Sequence, residues 1–129
     1  MIVWPVSWSV VTWNDVGYFS SHDTLLNDFQ LILTPVGGCA IQGDFDIEFR
    51  YNRCSWTTGD ASGGSGGFGG TPAQMGFDAG NRRDHYVHPM SRTMGILDVC
   101  RTTNVPGGAP GLWRFQVRNS APGCLGGTP

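Results

Sequence analysis

The apolar residues of this chain recur mostly with a period of two, which is typical of β-strands. The clearest case is the segment FDIEFRY (residues 45–51), in which four apolar or aromatic side chains alternate with three charged ones. Such alternation predicts a strand with one buried and one solvated face, as in antiparallel sheets. Further strands are predicted at residues 3–13 with a break at Pro5, and at residues 29–34, 73–77, 86–88 and 112–117.

Helical signals are scarce. Residues 91–100 form the main candidate, because Ser91 can cap a helix and Met94 and Leu97 fall on one side of it, although Gly95 weakens the segment. Residues 21–27 can form a single helical turn. The pattern predicts a mainly β fold, an antiparallel β-sandwich with one short helix near residues 91–100 and a long glycine-rich loop near residues 59–72.

The glycine-rich segment contains eight glycines between Gly59 and Gly76. Its residues 64–69 match G-x-G-x-x-G, and Asp84 follows at the distance that a dinucleotide-binding fingerprint requires. That fingerprint needs a helix directly after it to hold the pyrophosphate, and Pro72 and further glycines prevent one. A phosphate-binding loop of the Walker type needs a lysine, and the chain has none. The segment is therefore interpreted as a structural loop.

Several blocks of the chain, in order, resemble the NIDO (nidogen-like) domain, an extracellular module. The blocks are residues 11–19 (VTWNDVGYF), 27–33 (NDFQLIL), 56–80 with the glycine-rich stretch, 88–93 (HPMSRT), 103–106 (TNVP) and 111–117 (GLWRFQV). The family normally has further strands ahead of the first block. The resemblance therefore implies a NIDO-like domain over residues 1–119 that lacks the N-terminal strands of the family, and residues 120–129 have the composition of a linker or tail.

Four cysteines with long spacings and no C-x-x-C pair predict two disulfides in an extracellular protein, rather than a zinc site. Three connectivities are open. We favour Cys54–Cys100 together with Cys39–Cys124, and Cys39–Cys54 is the main competitor.

Composition excludes several classes of function. The net charge is −2, and the only adjacent basic pair, Arg82-Arg83, lies close to Asp78 and Asp84, so a nucleic-acid surface is not expected. No uninterrupted apolar stretch has the length of a membrane-spanning helix. We expect no membrane insertion by this segment.

The candidate catalytic and metal-ligating residues do not have the spacing or sequence context that such sites require. His85 and His88 are three residues apart in a predicted strand and would point to opposite faces. Ser62 lacks the G-x-S-x-G context of an exposed nucleophile, and Asp46 with Glu48 is explained as the wet side of a strand. We expect no enzyme activity, no cofactor and no metal; a structural calcium held partly by loop carbonyls is the alternative.

The resemblance implies a non-catalytic extracellular adhesion module, of the cell–matrix type, in a larger secreted or cell-surface protein. Its partner would be a matrix or surface protein, with a glycan as a further option. A lectin-like carbohydrate-binding module and an architectural spacer are the alternatives. The exposed tryptophans are expected to be Trp4 and Trp8. The expected core residues are Trp13, Phe29, Phe45, Ile47, Phe49, Trp56, Phe77, Trp113 and Phe115.

Overall fold

The computed structural model describes residues 8–36 and 44–118. Its strands are β1 (Ser9–Tyr18), β2 (His22–Pro35), β3 (Phe45–Arg53), β4 (Gly76–Asp78), β5 (His85–Val87) and β6 (Leu112–Val117), and its 3₁₀ helices span Asp60–Ser62 and Met94–Cys100. An antiparallel four-stranded sheet has the order β1-β2-β3-β6, and β4 pairs with β5 in a two-stranded sheet. The mainly β, antiparallel class and the short helix are confirmed. Sandwich packing stays a prediction.

The alternating sequence of β3 gives the four-stranded sheet two different faces. In the observed register, Phe49 lies between Leu31 of β2 and Trp113 of β6. Because successive side chains of a strand point to opposite faces, the neighbouring position places Glu48 beside Arg114 on the other side. The first face is called the apolar face below and the second the polar face.

The loops and short strands after β3 cover the β3–β6 half of the apolar face. The buried cluster consists of Met75, Ile96, Val99 and Trp113. The two-stranded sheet adds Phe77 and Tyr86, whose rings lie 5.1 and 4.5 Å from the ring of Phe115, respectively. Aromatic pairs at such separations add stabilisation beyond the area they bury.

One disulfide and one hydrogen bond fix the 94–100 helix on this cluster. A disulfide joins Cys54, directly after β3, to Cys100 at the end of the helix. The indole N–H of Trp113 donates to the carbonyl of Val99 at 3.0 Å. Cys54–Cys100 is the first of the two expected pairs; Cys39 and Cys124 lie outside the described residues.

The helix begins later than the sequence pattern indicated. Thr93, and not Ser91, is its N-cap, since the Thr93 hydroxyl accepts a hydrogen bond from the Gly95 N–H at 3.2 Å. The Ser91 hydroxyl instead accepts from the Met75 N–H at 3.1 Å and ties the loop to the core. The predicted helical turn at residues 21–27 is also corrected, because these residues form the turn into β2 and its first half.

The expected core residues differ in burial. Ile47 and Trp113 are buried. The half-buried members are Phe29, Phe45, Phe49, Trp56, Phe77 and Phe115. Trp13 is a correction: 39% of its surface is exposed. It stacks on Phe29 at 5.1 Å, but β1 is the edge strand far from the covering layer, which lies over β3 and β6.

Replacing Gly76 with valine should severely destabilise the protein. A Cβ at Gly76 would lie 2.1 Å from the carbonyl oxygen of Tyr86, so β4 and β5 would have to separate. We expect the free energy of unfolding to fall by about 3 kcal/mol, as measured by urea denaturation. Gly66→Ala is the control, because a Cβ at Gly66 meets open space and the cost is limited to its positive φ, about 1 kcal/mol. Equal losses in the two variants would contradict the steric argument.

The buried His88 should make stability depend on mildly acidic pH. Burial lowers its pKa below 6.5, and its Nδ1 accepts the Met90 N–H at 3.1 Å. Since the unfolded state binds the proton more readily, stability is fully present above about pH 6.5 and is lost as pH falls through the folded-state pKa. His88→Asn retains an acceptor and should remove this slope from the pH dependence of unfolding between about pH 5 and 6.5. A wild-type profile as flat as that of the variant would refute the assignment.

Candidate functional site

The glycine-rich loop is part of the packed structure. The carbonyl of Gly67 accepts hydrogen bonds from the N–H groups of both Thr57 and Thr58 at 2.9 Å. Gly67 has a φ of +93°, and a Cβ there would lie 3.0 Å from the Cβ of Trp56. Both threonines are almost fully buried. The loop therefore needs glycine for close approach, and the structural interpretation made from the sequence is consistent with its geometry.

Two contacts that the sequence did not indicate fasten this loop to the sheet. His22 Nε2 lies 2.8 Å from Asp60 Oδ2, and the His22 ring stacks on Tyr18 at 4.6 Å. Trp56 donates its indole N–H to the carbonyl of Val16 at 2.8 Å. Sequence separations of 38 and 40 residues hide both contacts from any local pattern.

The candidate catalytic and metal-ligating residues do not form a site. His88 is buried against Trp113, whereas His85 is exposed. Asp46 pairs with Arg118, and Asp78 and Asp84 accept hydrogen bonds from their own loop. Within residues 8–36 and 44–118, no three His, Cys, Asp or Glu side chains are grouped to hold a metal ion. No helix in the same residues is long and apolar enough to cross a membrane.

A cluster of charged side chains on the polar face is the best-defined arrangement of functional groups. Glu48, whose side chain is 11% exposed, lies between Arg50 and Arg114. Arg50 donates its Nε–H to one carboxylate oxygen of Glu48, and Arg114 donates from Nε and Nη2 to the other at 3.1 and 2.9 Å. We call these three residues the arginine–glutamate cluster.

The arginines determine the ionisation of Glu48. Burial alone would raise the pKa of Glu48, but the hydrogen bonds from Arg114 and Arg50 outweigh it and hold the pKa below 4.5. The carboxylate is therefore ionised at neutral pH. Its two oxygens are both occupied by guanidinium donors, so Glu48 is suited to orient the arginines and not to act as an acid or base.

The cluster lines an open concavity of about 600 Å³. Gln30, Thr12 and Asn52 contribute amide and hydroxyl groups beside it, and residues 109–112 form part of the wall. The Gln30 amide donates to the Thr12 hydroxyl at 3.0 Å, which leaves the amide oxygen and the hydroxyl proton for other partners. The concavity is thus lined by cationic and neutral hydrogen-bonding groups, by the carboxylate of Asp28, and by apolar and aromatic residues that include Trp13 and Leu112.

The two edges of the four-stranded sheet differ. Along β6, the Asn104 side chain accepts from the Arg114 N–H at 2.8 Å and donates to the Arg114 carbonyl at 2.9 Å. Thr103 donates to the carbonyl of Leu112. The TNVP block therefore occupies backbone groups of this edge at Leu112 and Arg114.

The edge formed by β1 is apolar and accessible. In the described part of the chain, β1 has a neighbouring strand on one side only. Trp8, Val10, Val11 and Trp13 are 66, 42, 45 and 39% exposed, respectively. These four residues are called the β1 edge. The expected exposure of Trp8 is confirmed, and Trp4 lies outside the described residues.

The comparisons with known proteins agree on one family. The profile of the nidogen-like domain matches residues 4–119. The chain is 40% identical over 121 residues to alpha-tectorin of Gallus gallus and 39% identical to that of Homo sapiens, in both cases over 91% of the chain and 5% of the relative. It is 33% identical over 110 residues to nidogen of Drosophila melanogaster, over 84% of the chain and 7% of that protein. No solved structure matches the chain.

The ionised Glu48 should contribute stability that acid removes. Because its folded-state pKa is lowered, the contribution is present above about pH 4.5 and is lost as pH falls through the folded-state pKa. The difference in unfolding free energy between wild type and Glu48→Gln should therefore be largest near neutral pH and shrink below pH 4.5. Chemical denaturation at several pH values measures it, and a difference that grows in acid would be the contrary result.

Proposed function

This chain belongs to the nidogen-like domain family, and on that premise we propose that it is a non-catalytic interaction module of a larger extracellular protein, of the cell–matrix adhesion type. Its relatives alpha-tectorin and nidogen are extracellular matrix proteins. The chain spans only 5 and 7% of the lengths of these relatives, so the partners of the whole protein are part of the proposal. The Cys54–Cys100 disulfide supports an oxidising, extracellular setting.

The observation that carries the proposal is the β1 edge. Strand edges with exposed apolar side chains offer unpaired backbone groups and a hydrophobic surface to another chain. A partner segment can add as a further strand, in which case backbone hydrogen bonds supply affinity and side chains such as Val11 supply selectivity. The partner we propose is an extracellular protein that presents an extended segment.

The two alternative functions fit less well as the main role. An architectural spacer is expected to have a polar surface without apolar patches, and the exposed Trp8, Val10, Val11 and Trp13 differ from that expectation. A carbohydrate-binding role is favoured by one observation only, the polar concavity, and is developed below.

Binding to isolated extracellular matrix tests the proposal. We expect the labelled domain to bind saturably, and Val11→Glu to weaken binding about tenfold or more, because it places a charge on the β1 edge. Val87→Glu is the matched control, since Val87 in β5 is 42% exposed and Val11 is 45% exposed. Circular dichroism checks that both variants are folded. Equal effects of the two substitutions, or binding that never saturates, would refute a role for the β1 edge.

A further inference from the structure

We propose that the concavity of the polar face binds an acidic saccharide, whose carboxylate or sulfate group is held by Arg50 and Arg114. This site adjoins the β1 edge, because Trp13 also lines the concavity, but saccharide binding there does not depend on the protein-binding role of that edge. The two arginines have unused donors, neutral hydrogen-bonding groups lie beside them, and the arginine–glutamate cluster carries a positive charge.

The arginines retain donors that Glu48 does not use. Arg50 donates to Glu48 through Nε only, and Arg114 through Nε and Nη2. For the residues that the structure describes, the Nη groups of Arg50 and the Nη1 group of Arg114 have no protein acceptor. Their side chains are 56 and 47% exposed, so these donors reach solvent. Guanidinium groups bind carboxylate and sulfate-like oxyanions in a bidentate manner.

Glu48 gives this site its geometry. The buried carboxylate of Glu48 holds both guanidinium groups in position from the sheet side. Because it is buried, it does not compete with a ligand for the N–H groups of the arginines that face solvent. The charges of the three side chains, two positive and one negative, leave a local charge of +1 in a chain whose net charge is −2. Asp28 also lines the concavity; Arg53 Nη2 donates to it at 2.9 Å and also donates to Asp15, so the two carboxylates share one guanidinium group.

The neighbouring groups favour a saccharide over an acidic peptide. Gln30, Thr12 and Asn52 supply amide and hydroxyl groups, which pair with sugar hydroxyls as donors and acceptors. The concavity of about 600 Å³ lies within the range of small-ligand sites and has room for a sugar unit with its acidic substituent.

Titration calorimetry with defined oligosaccharides tests the site. The probes are a galacturonate oligomer with carboxylates only, a sulfated maltose oligomer, the neutral maltose oligomer, and an oligoglutamate peptide. We expect one or both acidic saccharides to bind and the neutral one to bind at least about tenfold more weakly, which corresponds to one charge-assisted hydrogen-bond pair. Comparison of the two acidic probes distinguishes carboxylate from sulfate. Equal binding of the neutral sugar, equal binding of oligoglutamate, or no binding of either acidic saccharide would overturn the proposal.

Variants separate a specific site from general electrostatic attraction. Arg50→Gln and Arg114→Gln should each weaken binding at least about tenfold, and Arg50→Lys should also weaken it because the forked geometry is lost while the charge remains. Arg101→Gln is the control: it removes the same charge from an arginine that is 76% exposed beyond the 94–100 helix. Thermal melting confirms folding. If Arg101→Gln weakens binding as much as Arg50→Gln, or if Arg50→Lys binds as well as wild type, the site is refuted.

Discussion

The alternation of β3 is the constraint on which the rest of the structure depends. As an inner strand it has neighbours on both sides, so the direction of each side chain in β3 assigns the opposite residues of β2 and β6 to the same face. A shift of one residue would place Glu48 under the 94–100 helix and Phe49 in water. The disulfide at Cys54 and the hydrogen bond from Trp113 to Val99 then hold the covering layer on the correct side.

The sequence predicted those parts of the fold that local patterns encode. The strand at residues 112–117 and most of β3 follow from period-two alternation, because one face of each packs against the core. The start of β2 was missed, since its polar residues 22–27 resemble a turn, and only pairing with β1 makes them a strand. The exposure of Trp13 was missed for a related reason: burial depends on which strands the covering loops lie over, and this is not visible in a single sequence.

The binding surfaces were less accessible to prediction than the fold. Asp46 and Glu48 lie on one face as expected, but the expectation that Glu48 is solvated was wrong: Glu48 is buried, and its partner Arg114 is 66 residues away. A pattern of alternating charge indicates a wet face and does not reveal that its carboxylate is almost enclosed by two guanidinium groups. The role of Asn104 was hidden in the same way, because its contact with the backbone of Arg114 becomes evident only when the TNVP segment lies beside β6.

The difference between the two sheet edges limits the valency of the domain. Since Asn104 and Thr103 occupy backbone groups at Leu112 and Arg114 of β6, growth of the described sheet by strand addition is hindered there and is favoured at β1. A domain with two open edges can polymerise into a fibre, whereas a domain with one open edge terminates after a single addition. Association through β1 would therefore give closed pairs of fixed stoichiometry, and any extended network would have to arise from the linkage of such domains within longer chains.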